Sequence, residues 1–415
     1  MAQSKKVLQG FLPVIAFGFV ACILYGLGAG LRSDIGILLN PLAEHCSASY
    51  QDVSFCIAVM NLVFGAAQPV FGIIAARRSN RSVLLIGVGL LFASMVGMLL
   101  ADSFFALLFS LGILFGIGAG ALAFGLILAS SIRRVGPERA MLISGVLNAA
   151  AGMGGFVLSP TIQALLDEGG ISLTLSSLIA PIVLLIPIVF VVTAADPKKA
   201  RKASGPCEVE RKDNQVVHNG SARELFRRAF SDKVFILLIA GFSTCGFHMV
   251  TIESHLFSQF LSYGIGADEA SWAFSLYGVA TVFGALLSGW LSVKVPKGGL
   301  LAFYYGFRAV WVLIFIFLMP KTLLSAILFS AGLGLTGDAT VSPTAGIVNG
   351  RFSLTEAATL IGVLFFCHQI GAFLSAWLGG ILLEMSGSYI ALWMIDVALC
   401  TLAGLASAHI RKAER

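Results

Sequence analysis

The sequence predicts an all-α membrane protein: twelve transmembrane helices in two six-helix halves. Three observations predict it. Hydrophobic residues make up 58% of the 415-residue chain and charged residues only 12%, against roughly 25% charged in a soluble domain. Twelve apolar stretches each reach the about 20 residues that a bilayer core requires of a helix. The positive charge is sorted between alternate loops. Of the 27 Lys and Arg, Arg32 and Arg308 fall inside spans and Lys321 falls in an outer loop. The others lie in the two tails, the long central loop and the second, fourth, eighth and tenth loops. That bias is the positive-inside pattern, and it predicts a multi-pass cell-membrane protein with both termini cytoplasmic, in the inner membrane if the cell is Gram-negative.

The spans read as 11–40, 53–76, 82–101, 105–132, 141–166, 173–194, 234–262, 269–294, 299–319, 322–347, 355–383 and 388–410. The first is long, lacks a cleavage site and leads into another span, so it is not a signal peptide. The first, seventh and eleventh exceed the length a bilayer needs, which predicts tilted or broken helices. Spans four and five carry Gly112, Gly116, Gly118, Gly120 and Gly125, then Gly145, Gly152, Gly154 and Gly155, which predict close helix contacts. A Gly-x-Gly-x-x-Gly match in such a run is no nucleotide site, because no strand precedes it. Residues 195–232 form the only long polar segment and divide the chain into a first half (1–194), a cytoplasmic linker and a second half (233–415), with Ala222–Phe230 read as a surface helix. No other loop has room for a soluble catalytic domain, so the chain is not expected to be an enzyme.

The net charge of +6 is the loop charge that sets topology and implies no nucleic-acid partner. The seven Cys show no metal-ligand spacing, so no metal and no cofactor is expected. Cys22, Cys245, Cys367 and Cys400 sit in apolar runs as small core residues. Cys46 and Cys56 flank the first outer loop, where a disulfide and two free thiols are both open readings.

The halves echo each other. Spans one and seven both turn polar in their outer portions, through Arg32, Ser33 and Asp34 in one and His248, Glu253, Ser254 and His255 in the other. Spans two and eight both run from a glycine to a basic turn, Gly72 to Arg77, Arg78 and Arg81, and Gly289 to Lys294 and Lys297. Two six-helix repeats with a binding site at their interface is a recurring plan among secondary transporters.

The Gly72–Arg81 turn resembles the cytoplasmic gating signature of the major facilitator superfamily, Gly-x-x-x-Asp-Arg-x-Gly-Arg-Arg, with Gly72, Arg77 and Arg81 in place. Ala76 stands where the acid belongs, Ser79 where the second Gly belongs and Asn80 where an Arg belongs. The acid of the ion pair that usually latches the outward-open state is therefore missing. Four further groups resemble bacterial members of the monocarboxylate and oxalate/formate branch. They are Tyr25, Gly26, Gly30, Leu31, Arg32, Gly36, Pro41 and Leu42; Cys245, Gly246, Phe247, His248, Ser254, His255 and Leu256; Tyr305, Arg308 and Ala309; and Phe366 through Phe373. The resemblance implies a secondary active transporter that works by alternating access on a small organic anion such as a monocarboxylate. A proton or counter-substrate is the implied coupling partner, and no ATP-binding loop is present to supply another source of energy.

Ionisable groups inside a membrane cost about 2.5–3.5 kcal/mol each on insertion scales, which makes them the functional candidates. Arg32 stands where the family has a basic residue, and its planar fork of donors suits a carboxylate; the alternative is a helix-packing ion pair. Asp34 lies about 200° round an ideal helix from Arg32, and Gly28, Gly30 and Gly36 would allow the span to unwind between them. Asp34 is read as a proton carrier or as Arg32's partner. His248, Thr251 and His255 fall on one helical face. The resemblance includes His255 and points it at the substrate, while His248 is a candidate proton carrier. Glu253, on the other side of that helix, is an acid the resemblance does not explain and a further proton-coupling candidate. Arg308 and Asp338 lie at equal depth on consecutive spans, which argues for an ion pair, Arg308 more as scaffold and Asp338 more as site. His368 and Gln369 match the family and offer donors to a substrate; Asn148 is a cavity candidate; Asp396 reads as structural.

The partners expected are a small-molecule substrate, a coupling proton or counter-substrate and the lipid bilayer, with the chain a monomer. The acids Asp34, Glu253 and Asp338 leave open proton-driven efflux of a drug or of a zwitterionic or cationic metabolite. A transporter-like sensor is a third reading, for which the short tails supply no signalling domain.

Overall fold

The computed structural model describes residues 2–196 and 222–413. Every regular element among them is a helix. The long ones are α1 (Ala2–Ser33), α2 (Tyr50–Arg77), α3 (Asn80–Leu99), α4 (Phe104–Val135), α5 (Ala140–Val192), α6 (Ala222–Ser231), α7 (Lys233–Ser262), α8 (Ala267–Leu291), α9 (Lys297–Phe317), α10 (Leu323–Arg351), α11 (Leu354–Ser386) and α12 (Ile390–Ala413). The surface helix expected at Ala222–Phe230 is α6; the rest of the polar segment, 197–221, lies outside the described residues. The chain divides into two compact units, Met1–Ser204 and Gly205–Arg415.

Among the described residues, eleven helices are long and apolar enough to cross a membrane, where twelve spans were expected. The difference lies in α5, whose 53 residues take in predicted spans five and six. A straight helix of that length would be about 80 Å long, against a bilayer core of about 30 Å. It is not straight. Gly169 (φ −154°, ψ 21°) and Gly170 (φ 65°, ψ −164°) leave helical space, and the conformation of Gly170 is open in practice to glycine alone. The two parts of α5 also pack separately: Gly154, before the break, meets α1, and Thr193, after it, meets α3.

Within the first unit α1 packs on the early part of α5, α2 on α4, and α3 on the late part of α5. In the second unit α7 packs on α11, α8 on α10 and α9 on α12. The order of pairing is thus repeated, which gives structural content to the echo in the sequence. Glycines set the closest of these contacts. A Cβ on Gly154 would collide with the Gly26 carbonyl, and one on Gly30 would sit 2.6 Å from the Gly154 carbonyl carbon. Gly112, Gly116 and Gly120 likewise face α2, through Val59, Met60 and Ala67. Gly125 and Gly145 depart from expectation, since a Cβ on either meets open space. Gly154→Val is therefore expected to lower the thermal midpoint of the purified protein by the equivalent of about 1–3 kcal/mol of overpacking or more, whereas Gly145→Ala should leave it unmoved.

Serines start several helices. Ser49 and Asp52 form a reciprocal capping box at α2, with both hydrogen bonds at 3.1 Å, and Ser353 with Glu356 does the same for α11. Cys46 and Cys56 are both free thiols, so the first loop is closed by helix ends and not by a disulfide.

Candidate functional site

In the first unit, α1 ends at Ser33, and Asp34 (φ −97°, ψ 7°) begins a 3₁₀ turn, Ile35–Leu38. The unwinding expected here does occur, but it falls at Asp34, between the glycines. Gly30 stays helical because α5 packs against it. The break separates the two charges. Arg32 turns to α2, where Nη1 donates to Asn61 Oδ1 at 3.0 Å and the guanidinium lies 5.2 Å from the Phe64 ring centre. Asn61 is fixed in turn by its own Nδ2 donating to the Ile57 carbonyl at 3.0 Å. Asp34 is buried beside α5: it accepts from Ser33 Oγ at 3.2 Å, and a Cβ on Gly155 would stand 3.2 Å from its Oδ1. Arg32 is half-buried, and Asn148, lower on α5, is exposed.

At the basic end of this unit, Gly72 and Arg77 are exposed, while Arg81 closes the C-terminus of α5. Its Nε donates to Thr193 Oγ1 at 2.9 Å and its Nη2 to the Thr193 carbonyl at 3.2 Å, satisfying an end carbonyl of the helix. Asn80, where the signature has Arg, donates to Ser130 Oγ at 2.8 Å; Ser130 donates to Asp196 at 2.8 Å, and Arg133 pairs with Asp196 at 3.2 Å. A hydrogen-bonded chain tying α3 and α4 to the residue just past α5 stands near the signature turn that lacks its acid.

In the second unit, α7 carries a π turn at Ile252–Leu256, the stretch that holds Glu253 and His255. A π turn inserts an extra residue and rotates the rest of the helix by about 100°. His248 and His255 consequently do not share the face that a regular helix predicts. His248 faces α12, where Nδ1 donates to Asp396 Oδ2 at 2.8 Å, both side chains being fully enclosed. His255 faces α11, with Nε2 3.2 Å from the Ala376 carbonyl and its ring packed on Gly379. Thr251, between them, meets Ser375 of α11 at 2.6 Å. Asp396 was read as structural and is the partner of a titratable group.

α10 is interrupted. Its first helical part ends at Gly334, and Asp338–Thr340 form a 3₁₀ turn before helix resumes at Val341. An interruption inside a membrane frees backbone carbonyls that must find donors within the protein. Arg308 of α9 supplies them. It is 0% exposed; Nη2 donates to the Thr336 and Gly337 carbonyls, the latter at 2.8 Å, and Nε to Thr336 Oγ1 at 3.4 Å. The bond expected from Arg308 to the Asp338 carboxylate is replaced by bonds to the backbone just before it, because the freed carbonyls present themselves first. Cys245 of α7 joins the same break, 3.8 Å from the Gly337 carbonyl and 3.1 Å from Thr340 Oγ1. Buried Glu253 and half-buried Asp338 both act electrostatically on the hydroxyl of buried Tyr277 on α8, as does Arg308.

His368 and Gln369 lie buried on α11 against α7: the His368 ring is 5.0 Å from that of Phe242, and its backbone lies where a Cβ on Gly246 would go. His248, Asp396 and Cys400 bring a nitrogen, a carboxylate and a sulfur within 4.8 Å of one another. Asp396 is already hydrogen-bonded to both neighbours, and the positive charge of Arg308 acts on His248 and Cys400. The trio is joined by hydrogen bonds through Asp396.

The structure thus brings Glu253, Arg308 and Asp338 to one buried polar region around Tyr277, with His248 alongside, and holds Arg32 and Asp34 in the other unit. Sequence reasoning missed Asn61, Tyr277, Cys245, and the Asn80–Ser130–Asp196 chain. Asn61 left a signal as a lone amide in an apolar run, Asn80 as a departure from the signature turn and Cys245 as part of the branch resemblance.

The family model of the Major Facilitator Superfamily matches residues 18–264. The mouse protein named monocarboxylate transporter 11 is 27% identical, over 89% of this chain and 81% of that protein. An uncharacterised MFS-type transporter of Bacillus subtilis is 24% identical over 93% of this chain and 91% of its own length. The crystal structure of a D-xylose–proton symporter superposes with a TM-score of 0.69 at 14% identity, covering 95% of this chain and 97% of that one. A bacterial homologue of the human lysosomal transporter Spinster, inward-facing and unoccupied, gives 0.65 at 18% identity over 96% and 93%. A packing order repeated in the two units, interrupted helices carrying buried charge and a family match over more than half the chain lead to one conclusion: this chain is a membrane transporter, not an enzyme, and belongs to the Major Facilitator Superfamily, resembling its monocarboxylate branch.

Proposed function

We propose that the protein is a secondary active transporter of a small organic anion of the monocarboxylate class, coupled to protons. It works by alternating access as a monomer in the cell membrane, with its termini and the 195–232 segment cytoplasmic. The observation that carries the reading is Arg32. A permanent cation stands at the helix break that ends α1, its guanidinium braced by Asn61 and Phe64, and a planar fork of donors recognises carboxylate better than a point charge does. The relatives named as monocarboxylate transporters agree with that chemistry. Thermal-shift measurements test it: lactate, acetate or oxalate should stabilise the purified protein, by about 2.7 kcal/mol at a hundredfold excess over Kd.

The buried acid Glu253, with Asp338 and Asp34, favours a second reading, efflux of a zwitterionic or cationic compound driven by protons. Stabilisation by amphipathic cations or amino acids, with none by simple carboxylates, would select it. The orientation has its own test. Cys207 lies outside the described residues, but with Cys46 and Cys56 replaced it should resist an impermeant thiol reagent in intact cells and react after permeabilisation. Labelling in intact cells would reverse the topology.

A further inference from the structure

We infer that His248 and Asp396 form the proton-binding site of this transporter, with Arg308 linking its charge to the break in α10; the inference rests on the proton-coupled reading above. The pair bridges α7 and α12 at 2.8 Å with both side chains at 0% exposure. Asp396 is held twice, by His248 and by Cys400 Sγ at 3.7 Å. With Nδ1 donating to the carboxylate, the remaining imidazole nitrogen, Nε2, is buried and has no hydrogen-bond partner. It is the lone pair on which a proton can land. Arg308 Nη1 and Tyr277 Oη, in the same region, are likewise buried without a partner, so three polar atoms here are left for water or for a changed arrangement. A buried polar atom without a partner is costly, and three in one region mark it as more than scaffold.

The charges explain how the site would couple. Before protonation, neutral His248 is held by Asp396 through the Nδ1 hydrogen bond, and the field of Arg308 reaches His248 and Cys400. A proton from hydronium adds to the His248 Nε2 lone pair as an O–H bond of the hydronium breaks and leaves water, and the group gains one positive charge within the field of Arg308. Two cations in a medium of low dielectric repel strongly. Arg308 answers that repulsion through its bonds to Thr336 and Gly337, the carbonyls that open the Asp338 turn. Protonation thereby acts on the interrupted helix that carries Asp338, and release of the proton reverses it. Because the pair is fully enclosed, protons reach it only when the surrounding packing opens, which prevents a leak.

The groups around His248 are few. Asp396 and Cys400 come from α12, and Tyr305 and Arg308 from α9. Cys245, one turn earlier on α7, turns to the α10 break, and the charges of Glu253, Asp338 and Arg308 act together on Tyr277 of α8. Glu253 and His255 lie within the π turn. α11 meets the far side of α7 at Gly246, through His368.

Trp393 gives a direct readout, since its ring centre is 6.4 Å from that of His248 and a protonated imidazole quenches indole fluorescence. In the purified full-length protein, acidification from about pH 9 to about pH 4, bracketing an ordinary imidazole, should quench a component of emission that is absent in Trp393→Phe and abolished in His248→Gln. In proteoliposomes, Asp396→Asn and His248→Gln should lose substrate accumulation driven by a pH gradient yet retain substrate exchange. A fluorescence titration identical in wild type and His248→Gln overturns the assignment, as does undiminished pH-driven accumulation in both variants. Wild type that titrates at His248 but ignores a pH gradient upholds the proton site and refutes the proton-coupled reading instead.

Discussion

Arg32→Gln is expected to abolish carboxylate binding while the protein still inserts and folds. Arg32 is half-buried at the end of α1, and the amide that would replace it cannot restore the charge-assisted, two-pronged contact. Losing one partner of a buried charged hydrogen bond costs about 2–5 kcal/mol, or roughly 30-fold to several thousand-fold in affinity. Arg32→Lys keeps the charge and loses the planar geometry, so it should fall between wild type and Gln. Asn61→Ala provides a control on orientation. It removes the acceptor that holds Nη1 at 3.0 Å and should weaken binding less than Arg32→Lys. Isothermal titration of the three variants with the stabilising carboxylate reads these effects. Affinities equal to wild type in both Arg32 variants would make the residue scaffold.

The second large effect belongs to Arg308, and it falls on stability. Arg308→Met would fill a similar volume, but it leaves the Thr336 and Gly337 carbonyls without their donor in the middle of α10. Breaking a buried charged arrangement from one side typically costs about 3–5 kcal/mol, a large part of a marginal stability of about 5–15 kcal/mol. The variant should unfold at a much lower temperature in detergent or fail to accumulate. Arg308→Lys can reach one carbonyl and should melt between the two. A melting curve for Arg308→Met that overlays wild type would mean that water serves the break in α10 and that the arginine is not its brace.

Much of the architecture was legible because membranes impose coarse rules. Twenty apolar residues and sorted Lys and Arg are enough to locate spans, and the polar ends of spans one and seven pointed to where helices stop being regular. The breaks themselves were not legible. Gly28, Gly30 and Gly36 invite a reading as hinges, but Gly30 is small because α5 touches it, and α1 ends at Ser33 because Asp34 takes up a turn conformation that needs no glycine. The π turn in α7 was equally hidden. Counting seven residues from His248 to His255 assumes 3.6 per turn throughout, and one inserted residue sends the two rings to different helices.

The candidate site was legible as a list of expensive residues and not as a set of partners. His248 and Asp396 are 148 positions apart, and only the placement of α12 beside α7 reveals that they meet. The equal depth of Arg308 and Asp338 predicted the right neighbourhood and the wrong acceptor, because an interrupted helix offers its carbonyls before a side chain. Ser130 of the Asn80–Ser130–Asp196 chain costs little in a sequence reading, and Asn80 stood out only as a departure from the signature, so their pairing emerged from the geometry alone.

The central claim, coupled movement of a carboxylate and a proton, is tested most directly by uptake into proteoliposomes. With labelled carboxylate outside, an imposed inward proton gradient should drive accumulation above the outside concentration, a protonophore should collapse it, and Arg32→Gln should show none. Uptake that only equilibrates, is indifferent to the protonophore, or instead follows a sodium gradient would contradict the account.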